Sequence, residues 1–269
     1  MTDQQAMGMW MGLFIGDAAG VPYEFMPPSE DGSYTFFSSG GVHDARAGEW
    51  SDDGAMAMCI AEAYIEKGCF DASTIQRNFI DWMKNGTFGT RPGQPAWDVG
   101  MTVMGALRSV KDIERPYAGS TDPQASGNGC LMRLAPTVIW NRNNLGAAIG
   151  ESVAQALLTH GSSDCITYTA ALAHELLEGK PLSQYDHLRD RPIKNTGYVA
   201  DTYASAWHSV LTTDSFEDAI LDAINRGGDA DTVGAVTGMI AGAIYQSTDC
   251  QSLYVSQKLN LIGRQLILR

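Results

Sequence analysis

Apolar residues recur at three- and four-residue spacing through most of this chain. The runs Ala55–Lys67, Ser73–Lys84, Val99–Val110, Leu145–Thr159, Cys165–Leu177, Tyr198–Leu211, Phe216–Asn225, Thr232–Tyr245 and Leu253–Leu268 each predict a helix. In the first of these, Met56, Ile60, Ala63 and Tyr64 make the apolar stripe. Short links rich in Gly, Pro, Asn and Asp separate the runs, and few segments alternate with the period of a strand. The pattern therefore predicts a helical protein. A chain of 269 residues is long enough to bury one large core, so one domain over residues 1–269 is expected.

Two runs carry glycine at every fourth position: Gly8, Gly12, Gly16 and Gly20 near the start, and Gly234, Gly238 and Gly242 near the end. Each set lies on one helix face. Glycine inside a helix costs roughly 1 kcal/mol relative to alanine, so the stripes need a reason. Close backbone approach between the two helices supplies one. Separate packing of each stripe against bulky side chains is the other. If the stripes meet, only an antiparallel crossing brings Asp17 and Glu24 to the same end as Asp229 and Asp231. The first apolar run, Met7–Ile15, is too short and too interrupted by glycine to span a bilayer. Asp3 and the lack of Lys or Arg before it argue against a signal peptide.

Acidic clusters open two of the predicted helices. Ser51-Asp52-Asp53-Gly54 precedes the run at 55, and Gly227-Gly228-Asp229-Ala230-Asp231-Thr232 opens the run at 232. Each fits a plain helix cap, because a first turn has unpaired N–H groups and the positive end of the dipole. A cap needs one acidic side chain, however, and each cluster has two with a hydroxyl beside them. Close carboxylates repel unless protonated or joined by a cation. Facing helix starts would present four carboxylates and two hydroxyls to a pair of hard divalent cations, a known device for holding substrate oxygens and activating water.

The ordered set of motifs resembles one family. It comprises Gly16-Asp17-Ala18-Ala19-Gly20 with Glu24, Trp50-Ser51-Asp52-Asp53, Trp97-Asp98-Val99-Gly100-Met101-Thr102, Ser126-Gly127-Asn128-Gly129 with Met132-Arg133, Thr159-His160, and the Gly227–Thr232 segment. In this order they resemble the ADP-ribosylglycohydrolases, or ADP-ribosyl-acceptor hydrolases, which include the dinitrogenase reductase-activating glycohydrolases. The resemblance implies a single compact, all-α, orthogonal multi-helix domain around two divalent cations, Mg²⁺ or Mn²⁺. It implies hydrolysis at the anomeric carbon of the terminal ribose, releasing ADP-ribose from an ADP-ribosylated protein, with arginine the first choice of acceptor. It places Ser51, Asp52, Asp53, Asp229, Asp231, Thr232 and Glu24 around the metals. Glu24, then Asp53 or Asp98, is assigned to proton handling. Asp98, Gly100, Ser126, Gly127, Asn128, Gly129 and His160 are assigned to substrate. Two positions depart from the family: Gly54 stands where a threonine is common, and Gln246 where a glycine is.

Composition narrows the alternatives. A net charge of -13 argues against a nucleic-acid backbone as main partner. Five scattered cysteines, with no close pair, argue against zinc and suit a reducing cytoplasm. The polar stretch Pro27–Gly48 is either a loop covering the site or a passive surface loop. His43, His174, His187 and His208 show no partner pattern and are expected at surface or structural positions. Trp50 and Trp97, beside proposed ligands, are expected to pack rather than to touch substrate. Two other classes remain: a two-metal phosphohydrolase, such as a nuclease or phosphatase, and a non-catalytic ADP-ribose-binding or crystallin-like module.

Overall fold

The computed structural model describes residues 1–180, 192–247 and 256–268. His187, Cys250 and the start of the run predicted from Leu253 lie outside the described residues. Among the described residues there are eleven α-helices and no strand. In chain order they are α1 (Asp3–Gly20), α2 (Asp52–Lys67), α3 (Ala72–Asn85), α4 (Met101–Ser109), α5 (Ala135–Trp140), α6 (Leu145–Leu157), α7 (Ser163–Glu178), α8 (Val199–Thr212), α9 (Phe216–Ile224), α10 (Ala230–Tyr245) and α11 (Ser256–Ile267). The expected all-α class holds. The sequence reading missed α5, which spans six residues with a proline in its first turn, too few to show a helical period. It also started the first helix late. A reciprocal cap between Thr2 and Gln5 begins α1 at Asp3, ahead of the apolar run. No helix among the described residues is long and apolar enough to cross a membrane.

Helices α1 and α10 form the centre. From Met9 to Gly20, and from Ala230 to Ala243, every residue is buried. Both are apolar nearly all round, as a fully enclosed helix must be. They run antiparallel with their glycine stripes in register. A Cβ placed on Gly8 would lie 2.1 Å from the Gly242 carbonyl oxygen, one on Gly12 2.0 Å from that of Gly238, and one on Gly16 1.9 Å from that of Gly234. The seam continues to Gly20, whose Cβ would lie 2.3 Å from the Ala230 oxygen. Backbone therefore touches backbone along four turns, the arrangement the stripes predict.

The remaining helices wrap this pair. Trp10 packs edge-on to Phe14, and Phe14 edge-on to Trp50, at centroid distances of 4.8 and 5.2 Å. The Trp10 indole donates to the Leu259 carbonyl at 2.8 Å and ties α11 to the centre. The Gly54 departure has its cause here. A Cβ at 54 would lie 2.5 Å from Trp50 and 2.8 Å from Phe14, so the two rings occupy the space a threonine needs. Gln246 ends α10 in the left-handed region, with φ 57°, a place where glycine is the usual residue. That departure costs local stability and lies at the opposite end of α10 from the acidic cluster.

Two glycine substitutions should move stability in opposite directions. Gly238→Ala forces a methyl into the Gly12 carbonyl and should lower the melting temperature by several degrees, for a cost of about 1–3 kcal/mol or more. Gly105 is exposed on α4 with nothing within 4 Å of its Cβ position. Gly105→Ala should raise stability by up to about 1 kcal/mol. Calorimetry that finds both variants shifted the same way would contradict the seam.

Candidate active site

Three helix ends meet at one end of the α1–α10 seam. Asp17, in the last turn of α1 and fully buried, accepts the backbone N–H groups of Ser51 and Gly54, both at 2.8 Å. It thus caps α2 from outside the helix. Ser51 is also the N-cap of α2, accepting from the Asp53 N–H at 3.3 Å. Asp52 and Asp53 occupy the first turn of α2, and Asp231 and Thr232 that of α10. The Thr232 hydroxyl donates to Asp53 at 3.3 Å across the gap. Asp229 is the N-cap residue of α10 but makes no capping bond. Its carboxylate instead accepts from the Asn128 amide at 2.8 Å. The two acidic clusters therefore converge, and the Asp229 side chain is not used to cap α10.

A cleft of about 500 Å³ opens over this junction. Of the residues singled out from sequence, Glu24, Asp52, Asp98, Gly100, Gly127, Asn128, Gly129, His160, Asp229, Asp231 and Thr232 line it. Ser51, Asp53 and Ser126 do not. Asp53 is fully buried, Ser51 lines a separate small pocket with Asp52 and Asp98, and the Ser126 hydroxyl bonds Ser162 and the Pro123 carbonyl, both at 2.8 Å. Asn195, Thr196 and Gly197 also line the cleft, and nothing in their local pattern marks them in the sequence.

The electrostatics are adverse without a counter-ion. Burial, then repulsion from neighbouring carboxylates, raises Asp53, Asp98 and Asp231 well above the usual carboxylate range. The same causes lift Glu24 to about 8, burial first and then Asp229 and Asp52. Burial carries Asp52 to about 6 and Asp17 to about 7, against hydrogen bonds that pull the other way. Asp53 Oδ2 and Asp231 Oδ1 are buried without a hydrogen-bond partner. Buried carboxylate oxygens left bare are costly. Divalent cations fit this donor set, which is all oxygen, acidic and assembled from two rigid helix starts.

One corner carries a histidine that sequence reasoning missed. His43 Nε2 lies 2.8 Å from Glu24 and 3.9 Å from Asp98, so His43 is neither a surface nor an isolated structural residue. The ligand atoms of Glu24, His43 and Asp98 all lie within 4.8 Å of one another. The His43 ring packs on Trp97 at 5.0 Å, and Arg91 holds the His43 and Asp44 carbonyls while pairing with buried Glu49. The 27–48 stretch reaches the site through His43, but none of its residues lines the cleft. Asn225 pins it elsewhere by bonds of 3.0 Å to both the N–H and the carbonyl of Tyr34, and Tyr34 stacks on Tyr23. Trp50 and Trp97 do not line the cleft, as expected of packing residues.

Comparison with known proteins agrees with this architecture. The family profile described as ADP-ribosylglycohydrolase matches residues 2–250. An ADP-ribosylarginine hydrolase, Tri1, of Pseudomonas putida (strain GB-1) is 35% identical over 91% of this chain and 72% of its own. An ADP-ribosyl-[dinitrogen reductase] glycohydrolase of Rhodospirillum rubrum is 29% identical over 97% and 92% of the two chains. A solved structure named as an ADP-ribosylglycohydrolase-related protein complex superposes with a TM-score of 0.85, at 27% identity, covering 99% of this chain and 98% of that one.

The raised carboxylates set a pH dependence. A folded-state pKa above the unfolded value gives stability that is complete at low pH and is lost as pH rises. Glu24 at about 8 loses its share as pH rises through about 8. Protein treated with EDTA should therefore melt lower at about pH 8 than at about pH 5. Mg²⁺ or Mn²⁺ competes with those protons, so its stabilisation should grow across the same range, reaching about 2.7 kcal/mol per site at a hundredfold its Kd. A metal-dependent gap in melting temperature that shrinks with rising pH would contradict the assignment.

Proposed function

The chain belongs to the ADP-ribosylglycohydrolase family, and from that premise we propose a two-metal hydrolase that frees ADP-ribose from a modified protein side chain, arginine first among acceptors. The observation that carries the reading is the pair of bare buried oxygens, Asp53 Oδ2 and Asp231 Oδ1, on facing helix starts. Ser51, Asp52, Asp53, Asp229, Asp231, Thr232 and Glu24 are the residues to hold two Mg²⁺ or Mn²⁺ ions. When bound, such ions neutralise the carboxylates, grip vicinal ribose hydroxyls and lower the pKa of water.

The chain's own residues supply the rest. Cleavage at the anomeric carbon builds positive character on the sugar, which surrounding carboxylates favour. Glu24 and Asp98 stand at the cleft surface, where proton handling needs them, whereas Asp53 is fully enclosed behind Thr232 and suits a ligand role. Asp98 also gives a guanidinium leaving group a carboxylate to pair with. Gly127, Asn128, Gly129 and His160 line the same cleft and suit the diphosphate and ribose. The names of the Pseudomonas and Rhodospirillum relatives support an ADP-ribosylated protein as partner. The family match over residues 2–250 and one continuous buried cluster support a single domain. The free thiols of Cys59, Cys69, Cys130 and Cys165 are consistent with a cytoplasmic setting.

The test is incubation with arginine- and serine-linked ADP-ribosyl peptides in Mg²⁺, Mn²⁺ or EDTA. Free ADP-ribose from the arginine peptide, absent with EDTA, is the expected result. Release of phosphate or AMP would favour a phosphohydrolase instead. Asp231→Asn should lower kcat by roughly a hundredfold or more with helix content unchanged. Full turnover by that variant in saturating metal would defeat the ligand assignment.

A further inference from the structure

Arg133 is fully buried and, among the described residues, has no carboxylate among its hydrogen-bond partners. Asp52 favours its charge from a distance, but a buried cation with no carboxylate in hydrogen-bond contact needs a further reason for its place. Its guanidinium donates to the Gln155 side chain at 2.7 Å, the Gln155 carbonyl at 3.0 Å and the Thr159 hydroxyl at 2.7 Å, and it approaches the Met56 sulfur at 3.5 Å. It also lies over the Phe79 ring, 4.7 Å from the centroid. The Thr159 hydroxyl in turn meets His160 Nδ1 at 2.8 Å.

Donor counting favours one direction for this chain. Arg133 only donates, so Thr159 Oγ1 accepts from it. If the Thr159 hydroxyl then donates to His160 Nδ1, its proton has a partner, whereas an Nδ1–H donating to Oγ1 would leave that buried proton without this one. The first arrangement leaves Nδ1 unprotonated and puts the neutral ring's proton on Nε2. Burial, then the Arg133 charge, presses the ring's pKa down to about 3, so it stays neutral. His160 is 1% exposed, lines the cleft and, among the described residues, has no hydrogen-bond partner at Nε2. A Cβ at either Gly127 or Gly129 would lie 3.2 Å from that Nε2, so both glycines leave it uncovered.

We propose that Thr159 and Arg133 are positioning residues: they lock His160 as the Nε2–H tautomer, so that this wall of the cleft offers a hydrogen-bond donor to an acceptor oxygen of the ligand. The inference rests on the ADP-ribose reading only for the identity of that ligand. An acceptor oxygen is present both in a diphosphate and in a ribose hydroxyl. The two sources are separated by comparing ADP-ribose with ADP, which lacks the terminal ribose.

The first measurement is the ring-nitrogen NMR signature of His160 in the unliganded, metal-loaded protein between about pH 6 and 8. It should show unprotonated Nδ1 and protonated Nε2. A protonated Nδ1, or an imidazolium, would overturn the proposal whatever the protein hydrolyses. Thr159→Val, nearly isosteric, should mix the tautomers and weaken ADP-ribose by roughly tenfold or more in titration calorimetry. Thr159→Ser should restore both. Arg133→Met should shift the ring signature in the same direction as Thr159→Val. Equal weakening of ADP in the valine variant would identify a phosphate oxygen as acceptor, and unchanged ADP affinity a ribose hydroxyl. Affinity lost with an unchanged ring signature would mean a structural role only and would sink the relay, as would native affinity in Thr159→Val. An unchanged signature in Arg133→Met would remove Arg133 from it. Wild-type protein with the expected tautomer but no ADP-ribose binding would refute the functional reading and leave the relay standing.

Discussion

The backbone contact between α1 and α10 is the constraint on which the rest of the molecule depends. Without side chains in the seam, the two helices approach until carbonyl oxygens nearly fill the Cβ positions of Gly8, Gly12 and Gly16. The contact ends where the chemistry begins. A Cβ on Gly20 would lie 2.4 Å from the Asp231 Cα, so the last glycine of the stripe fixes the first turn of α10 against α1. One turn back along α1, Asp17 grips the N-terminus of α2 through Ser51 and Gly54. Two acidic helix starts are thereby set against each other by rigid elements rather than by loops, as a precise site requires.

That placement concentrates negative charge in a buried junction of a chain that is already strongly acidic. Two helix N-termini and several backbone N–H groups offset part of the cost. They leave Asp53 and Asp231 each with a bare oxygen. On the proposed two-metal reading, stability and activity are linked: the oxygens that make the junction costly are the ones that would hold the cations. The Arg133 charge also favours the ionised form of Asp52, although it makes no hydrogen bond to a carboxylate. Its hydrogen bonds run to Gln155 and Thr159.

Glu24 illustrates how a loop enters a site without covering it. Its partner His43 belongs to a stretch anchored by Asn225 at one place and by Arg91 and Glu49 at another. Glu49 is fully buried between Arg46 and Arg91, so the loop end has a firm charge-paired base. The result is a histidine presented to two carboxylates by residues far from the cleft.

The sequence by itself determined most of the helices and the two acidic clusters, and it posed the antiparallel seam as one of two uses for the glycine stripes. The first two follow from local periodicity and the chemistry of helix starts; the seam needed the packed structure to choose between backbone contact and separate packing. Runs such as Ala55–Lys67 matched helices with boundaries off by a turn or less, because capping by Ser51 and Asp17 decides where α2 starts, whereas α1 extends beyond its apolar run at both ends. The six-residue α5 was too short to carry a period. Only the tertiary structure decided what each polar group faces. His43 has no motif, and its role arises from contacts across 19 residues to Glu24 and, through Asp44, across 47 residues to Arg91. Ser126 sits within a recognisable turn, yet its hydroxyl faces Ser162 and not the cleft. Gly54 stands where a threonine is common, and only packing shows why: Trp50 and Phe14 take the space. Local pattern fixes which backbone forms, since it depends on neighbours within a few residues. The direction and partner of a buried polar side chain depend on elements distant in sequence, and those are settled only when the helices pack.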